Sequence, residues 1–212
     1  MNSTDISNVL VFINRNIQKN RDLLIELDQK TGDGDLGVSM SKGFDSVTRH
    51  AATLKENDIG KVLLSISMIF NENAPSTMGT ILSLFLTSVG KPLVGKSEAS
   101  LCDLAQAFRS GTDKITEKTG SKAGEKTILD ALLPAVAALE DHSSSTFEDA
   151  FRCAARAAKD GSASTINMKA VHGRASYYGE ASIGNIDGGS VVGSLLFESI
   201  LGYIETRQKG EA

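Results

Sequence analysis

Residues 27–40, LDQKTGDGDLGVSM, interrupt a helical pattern with a loop that is rich in aspartate and glycine. Asp28, Asp33 and Asp35 would repel one another in so short a loop, and its glycines make it costly to order. We therefore expect a ligand that offsets both costs. Three carboxylates suit a hard divalent cation, and their spacing allows them to share two ions. Because magnesium commonly binds through few carboxylates together with phosphates, the loop predicts a magnesium-bound nucleotide.

On both sides of this loop, apolar residues recur at three- and four-residue steps, the spacing of one face of a helix. They run from Ile6 to Leu27 before the loop and from Met40 to Ala51 after it. A later segment, APSTMGTILSLFLTSVG, places Pro75 at a first helical position and Gly90 at the end. About eight helices result, with short connections and no convincing strand. Residues 1–212 are therefore predicted to form a single all-α domain.

The longer connections are rich in glycine and can share one end of such a bundle. They are QKTGDGDLG, NENAPSTMG, TGSKAGEKT and GRASYYGEASIGNIDGGS, centred near residues 32, 74, 122 and 180, and they alternate with tighter connections near 57, 95 and 143. If consecutive helices run antiparallel, loops two connections apart lie at the same end. This topology predicts a site where the four loops gather.

Composition and known loop motifs exclude several classes of protein. A net charge of −4 gives no electrostatic footprint for nucleic acid. No apolar run approaches the ~18 residues of a membrane span, and the N-terminus has no basic region, so we expect a cytoplasmic chain. An EF-hand that began at Asp28 would place Ser39 where glutamate is needed, and no P-loop motif is present. The DGD tripeptide is also found in aspartyl-phosphate phosphatases, but there a buried strand precedes it, and here a helix does.

Three residues outside the acidic loop are candidates for contact with a ligand. Arg174 could bind a phosphate with two parallel hydrogen bonds or form a surface ion pair. Lys126 could bind phosphate in the same way or face water, and His172 lies beside Arg174 in the same loop. The serines and the two cysteines form no recognisable pair of nucleophile and base.

Three motifs in order, LDQKTGDGDLG, GEKTILDALLPA and GRASYYGEASIGNIDGGS, resemble the nucleotide-binding L subunit of bacterial dihydroxyacetone kinase. The similarity runs across essentially the whole chain. It implies that residues 1–212 form a barrel of eight antiparallel amphipathic helices, with ADP or ATP and two magnesium ions at one rim.

The resemblance also implies the residues of the site. Asp28, Asp33 and Asp35 would hold the two magnesium ions. The residues implied for the phosphates are Leu36, Gly37, Val38, Ser39, Asn73, Ala74 and Ser76, those beside adenine are Gly120 and Ile128, and those that complete the pocket are Arg174, Asp187, Gly188 and Gly189.

The sequence departs from the family pattern at four places. Leu36 replaces the histidine of the usual GDGDHG loop, which removes a polar contact to phosphate. NAPSTMG replaces the usual GGASGP phosphate loop, Glu125 replaces an aspartate, and Gly188 replaces a proline.

Several partners are implied in the same way. A sugar-binding K-type subunit would hold dihydroxyacetone covalently through a histidine. In the phosphotransferase-system members a phosphohistidine-carrying protein rephosphorylates the bound ADP, whereas other members use ATP directly. A homodimer is a further expected assembly; nucleic acid and membrane are not expected partners.

The leading hypothesis is thus an enzyme subunit that transfers a phosphoryl group from Mg-bound nucleotide to dihydroxyacetone, or to another short-chain ketose, on its partner. Two alternatives remain open. One is a regulatory module whose nucleotide state governs docking to a transcriptional regulator. The other is a structural helical bundle whose acidic loop is merely solvated.

Overall fold

The computed structural model describes residues 1–210, and over that range it contains nine α-helices, three 3-10 segments and no strand. The helices are α1 (Ser3–Lys19), α2 (Arg21–Gln29), α3 (Leu36–Ala51), α4 (Ile59–Asn73), α5 (Thr77–Gly90), α6 (Leu101–Thr119), α7 (Leu129–Asp141), α8 (Phe147–Ser164) and α9 (Gly188–Gln208). The 3-10 segments are Lys91–Leu93, Thr165–Asn167 and Arg174–Ser182. The predicted all-α class is confirmed.

The first predicted helix is in fact two helices, α1 and α2, which are separated at Asn20. The Asn20 side-chain amide donates to the carbonyl oxygen of Asn16 at 2.8 Å and to its side-chain oxygen at 3.0 Å. Such local side-chain hydrogen bonds compete with a continuing helix. The apolar face nevertheless persists across the break, since Ile17 and Leu24 are both fully buried.

The helices form a closed ring. Each of α3 to α8 packs against the next helix in the chain, and both α3 and α9 pack on α1. The short α2 lies against α3 and α9. Eight helices of the described chain therefore form the ring, as the resemblance implies, and α2 is an addition at the α3–α9 side.

The interior of the ring is apolar. Phe108 lies beside Phe85, Phe151 and Phe197, with ring centroids 5.4–6.5 Å apart. A cavity of about 90 Å³ is lined by apolar side chains, among them Phe44, Phe85, Phe108 and Phe151. No helix within residues 1–210 has both the length and the apolar character required to cross a bilayer.

The connection between α4 and α5 is tight and is held by one glycine. Ser76, rather than Pro75, begins α5: its hydroxyl accepts a hydrogen bond from the Gly79 amide at 3.1 Å, so Pro75 lies before the cap and its predicted helical position is wrong. A Cβ atom at Gly79 would overlap the carbonyl oxygen of Ala74. The absence of a side chain at Gly79 therefore allows residues 74–76 to fold back over the start of α5.

Replacing Gly79 by alanine tests this packing. We expect Gly79→Ala to lower the free energy of unfolding by about 1–3 kcal/mol, because the backbone at Ala74 must move to relieve the overlap. The measurement is urea denaturation followed by circular dichroism.

Gly202→Ala is the matched control, because a Cβ there would meet the Phe12 ring at an ordinary 3.5 Å. In this interior position of α9, alanine should stabilise the helix by about 0.5–1 kcal/mol. Equal effects of the two substitutions would contradict the tight connection.

Candidate functional site

All four glycine-rich loops contribute to one cavity of about 370 Å³ at a rim of the ring. The acidic loop lines it with Asp28 and residues 31–33, 35 and 36, and the second loop with residues 75–78. Lys126 comes from the third loop, and residues 172–175 and 187–189 come from the fourth. The structure thus brings the four loops together at one end of the ring, as their order along the chain predicted.

The three aspartates of the acidic loop converge on a common point. Each of Asp28, Asp33 and Asp35 offers a carboxylate oxygen, and these oxygens lie within 4.8 Å of one another. Asp28 lies in the last turn of α2, and one of its oxygens accepts a hydrogen bond from the Leu36 amide at 3.3 Å. At Gly32 a Cβ atom would overlap the other oxygen of Asp28, so the loop turns closely over that carboxylate because position 32 has no side chain.

The surroundings of Asp35 in this cluster disfavour its charged form. Partial burial raises the pKa of Asp35 above its usual value, and the negative charges of Asp33 and Asp28 raise it further. Arg174, which forms an ion pair with Asp33, opposes the shift. A cluster of convergent carboxylates that repel one another fits a divalent cation with oxygen ligands, which would remove the repulsion.

The N-terminus of α9 forms a second part of the cavity wall. Asp187 caps this helix by accepting a hydrogen bond from the Ser190 amide at 2.6 Å, and Gly188 and Gly189 are the first helical residues. The first N–H groups of a helix have no partner within the helix, and together with the helix dipole they make such a terminus favourable for an anion. Both glycines are buried and line the cavity, so their backbones lie close to any ligand there.

Asp187 is the most strongly perturbed carboxyl group of the site. Burial raises the pKa of Asp187 to about 7, and the charges of Asp130 and Asp28 add to the increase, while the Ser190 amide and Lys126 oppose it. At neutral pH the cavity thus contains a carboxyl group that is close to its midpoint of ionisation. Cationic ligands would favour its charged form.

Six of the residues predicted for the nucleotide line the cavity together with the three aspartates. They are Leu36, Ser76, Arg174, Asp187, Gly188 and Gly189. Ser39 is buried behind the wall, where its hydroxyl accepts a hydrogen bond from that of Ser76 at 3.0 Å. This contact positions Ser76 rather than reaching the cavity.

The remaining predicted residues lie outside the lining of the cavity. They are Gly37, Val38, Asn73, Ala74, Gly120 and Ile128. The Asn73 amide donates to the carbonyl oxygen of Ile69 at 2.8 Å, and Ala74 and Ile128 are buried. Gly120 ends α6 in a left-handed conformation on the exposed side of the third loop. A role for these residues in binding stays a prediction.

Lys126 and His172 also line the cavity, and the sequence left the role of both undecided. Lys126 is buried, and its ammonium group donates to the carbonyl oxygens of Thr165, at 2.6 Å, and Asn185. Burial lowers the pKa of Lys126, and the charges of Asp187 and Asp130 limit that shift. His172 contacts the Glu125 carboxylate at 2.6 Å, and this hydrogen bond lowers the pKa of Glu125.

Comparison with known proteins assigns the family. Residues 30–202 match the family described as DAK2 domain. The chain belongs to the DAK2 domain family. This match, together with the relatives described next, confirms the resemblance that the three sequence motifs indicated.

Two relatives of this DAK2 domain are named as ADP-binding subunits of dihydroxyacetone kinases. It is 31% identical over 169 residues to the PEP-dependent dihydroxyacetone kinase, ADP-binding subunit DhaL, of Escherichia coli strain K12, which covers 79% of this chain and 80% of the relative. It is also 31% identical over 204 residues to the ADP-binding subunit DhaL of PEP-dependent dihydroxyacetone kinase 2 of Listeria innocua, which covers 95% of this chain and 94% of the relative.

A solved structure shares the fold. It is the dihydroxyacetone kinase from C. freundii in complex with AMP-PNP and Mg²⁺, which superimposes with a TM-score of 0.73 at 21% identity and over 92% of this chain. The DAK2 domain described here spans about a third of that larger chain, 33% of its length.

The raised pKa of Asp187 predicts a pH-dependent effect of Asp187→Asn. Because the pKa of Asp187 is higher in the folded protein than its unfolded value of 3.8, the protonated group stabilises the folded state. This stabilisation is complete below pH 3.8 and is lost as pH rises through about 7. Asparagine keeps the helix cap without the charge. In the absence of magnesium and nucleotide, the Asp187→Asn variant should therefore have a higher free energy of unfolding than the wild type at pH 8, by on the order of 1 kcal/mol or more. At pH 5 the difference should be smaller.

Urea denaturation at both pH values measures this difference, and Asp58→Asn is the matched control. Asp58 caps α4, and although desolvation opposes the shift, hydrogen bonds from the Lys61 and Gly95 amides lower its pKa. Its stabilising contribution is present above pH 3.8 and is lost as pH falls, so Asp58→Asn should destabilise the protein at neutral pH. The same sign for both substitutions would refute the assignment of Asp187.

Proposed function

We propose that this DAK2 domain is the nucleotide-binding subunit of a kinase that acts on dihydroxyacetone or a similar short ketose. It would bind ADP or ATP with two magnesium ions and transfer a phosphoryl group to the sugar on a partner subunit. The observation that carries the proposal is that three convergent carboxylates and a helix N-terminus line the same cavity. Carboxylates suit magnesium and the helix N-terminus suits phosphate, so the two walls together suit a magnesium-bound polyphosphate.

Each wall of the cavity has a distinct role in this proposal. Asp28, Asp33 and Asp35 would hold the magnesium ions, which neutralise charge on the phosphates when they are bound. The amides at Gly188 and Gly189 would donate to phosphate oxygens. Arg174 lines the same cavity and could exchange its ion pair with Asp33 for a phosphate once a metal ion holds the carboxylate.

Phosphoryl transfer depends on positioning and on charge neutralisation more than on a protein nucleophile. The site residues of this chain supply both of these. They include no pairing of a nucleophile with a base among the described residues that line the cavity. The proposal therefore assigns binding and orientation to this chain, and the sugar to a K-type partner.

The phosphoryl donor is the finer part of the proposal. The E. coli and Listeria relatives are named as ADP-binding subunits of PEP-dependent kinases. By analogy, ADP would stay bound in this chain and would be rephosphorylated by a phosphohistidine-carrying protein of the phosphotransferase system. A homodimer remains a further prediction about assembly.

Native mass spectrometry of protein purified without added nucleotide tests the donor. A retained mass equal to ADP and two magnesium ions, lost after EDTA dialysis, would support resident ADP and a phosphohistidine donor. A bare chain that binds ATP only when magnesium is supplied would favour direct use of ATP. A bare chain that binds neither would refute the proposed function.

A charge-matched pair of variants tests the metal site. Asp33→Asn should weaken binding of Mg·ADP at least about 100-fold, since even outer-shell partners of metal ligands are commonly worth about 10- to 100-fold. Isothermal titration calorimetry is the measurement. Asp22→Asn removes the same charge from an exposed position in the first turn of α2 and should leave the affinity unchanged.

The open alternatives give different results in the same experiment. If the acidic loop were merely solvated, Asp33→Asn would slightly stabilise the protein by relieving repulsion, and magnesium would have no effect on either variant. A regulatory module would bind Mg·ADP as proposed but transfer no phosphate when a K-type partner loaded with dihydroxyacetone is added.

A further inference from the structure

Lys126 has an unusual backbone conformation for a residue with a side chain. Its φ of 61° is left-handed, and no other non-glycine residue in the described part of the chain has a positive φ. Such a conformation is disfavoured for residues with a Cβ atom and persists only where the surroundings enforce it. The Lys126 side chain is 5% exposed, so this backbone turn directs a cationic side chain into the protein.

The ammonium group of Lys126 joins two distant segments. Its acceptors are the carbonyl oxygens of Thr165, at the end of α8, and Asn185, two residues before the cap of α9. These positions are 39 and 59 residues from Lys126 along the chain. A buried lysine that donates to two carbonyls is costly to replace, because an apolar substitute leaves both oxygens unsatisfied.

Thr165 makes a second connection to the same place. Its hydroxyl accepts a hydrogen bond from the Asp187 amide at 3.0 Å and donates to the Ser162 carbonyl oxygen at 2.6 Å. Lys126 and Thr165 therefore hold Asn185 and Asp187 from one side, immediately before the first turn of α9. That turn presents Gly188 and Gly189 to the cavity.

We propose that Lys126 is a positioning residue, which fixes the segment 185–187 and so sets the N-terminal turn of α9 at the distance that nucleotide phosphates require. This inference rests on the proposed nucleotide function. Both of its hydrogen bonds lie on the α8–α9 side of the cavity. We therefore expect Lys126 to act on the start of α9, the phosphate wall, more than on Asp28, Asp33 and Asp35, the carboxylate wall. The two walls can therefore be tested separately.

Binding of Mg·ADP and of Mn²⁺ alone is measured for wild type, Lys126→Met and Thr165→Val. Calorimetry gives the dissociation constant for Mg·ADP, and electron paramagnetic resonance gives that for Mn²⁺ without nucleotide. We expect both variants to weaken Mg·ADP binding at least tenfold and to keep Mn²⁺ affinity within twofold of wild type. Lys122→Met, at an exposed position of the same loop, is the control and should bind both as the wild type does.

A chemical rescue separates the ammonium group from the general effect of a substitution. Lys126→Cys, in a chain that also carries Cys102→Ser and Cys153→Ser, is alkylated while unfolded with 2-bromoethylamine and then refolded. The thiolate displaces bromide and forms a thioether, which restores an ammonium group on a side chain of nearly lysine length. Recovery of Mg·ADP affinity supports the proposal, and no recovery in a refolded protein refutes it.

The other outcomes are equally decisive. A folded Lys126→Met variant that binds Mg·ADP like the wild type, or that loses Mn²⁺ binding to the same extent, refutes a positioning role. If Lys126→Met does not fold, Thr165→Val decides by the same two measurements. If the wild type binds no Mg·ADP, the proposed function fails, and the connection itself is then judged by amide hydrogen exchange at residues 185–190, which should be faster in both variants.

Discussion

Closure of the helical ring between its first and last helices is the constraint on which the rest of the structure depends. α9 packs on α1, the buried Tyr203 hydroxyl donates to Asp5 at 2.5 Å, and Arg207 pairs with the same carboxylate at 3.0 Å. The Phe12 and Tyr203 rings pack edge to face with centroids 5.8 Å apart. Because every helix of the ring then has two neighbours, the helices share one buried apolar core, and the loops at one rim are held around a common cavity.

The chemistry of that rim follows from opposite electrostatic demands on its two walls. In the acidic loop, partial burial and then the neighbouring negative charges raise the pKa of Asp35, while the start of α9 combines a helix N-terminus with the Asp187 carboxyl group, whose pKa is raised by burial. Without a ligand, both the acidic loop and the start of α9 place carboxyl groups where their charged form is disfavoured, which lowers the stability of the protein at neutral pH. Sites that sacrifice stability in this way are typical of ligand-binding and catalytic regions, where the bound group restores the balance.

Several features of the fold were readable from local pattern, and others were not. Apolar periodicity identified the helices because burying one face is what makes each of them stable. The break at Asn20 was missed because the periodic face continues through it, from Ile17 to Leu24, while the interruption comes from side-chain hydrogen bonds to Asn16. Pro75 was placed two positions too far into α5, because Ser76 provides the cap and Thr77 is the first helical residue.

By itself, the sequence determined the helical class, the acidic motif and the end of the bundle at which the loops meet, because periodicity, charge and loop order are local properties. It left open whether Lys126 faces water, whether Arg174 pairs with a carboxylate, and whether Ser39 reaches the cavity. Tertiary structure alone decided these: Lys126 is buried under carbonyls of residues 165 and 185, Arg174 meets Asp33, and Ser39 supports Ser76. The physical reason is that side-chain burial and pairing depend on segments far apart in the chain, and only the closed ring brings those segments together.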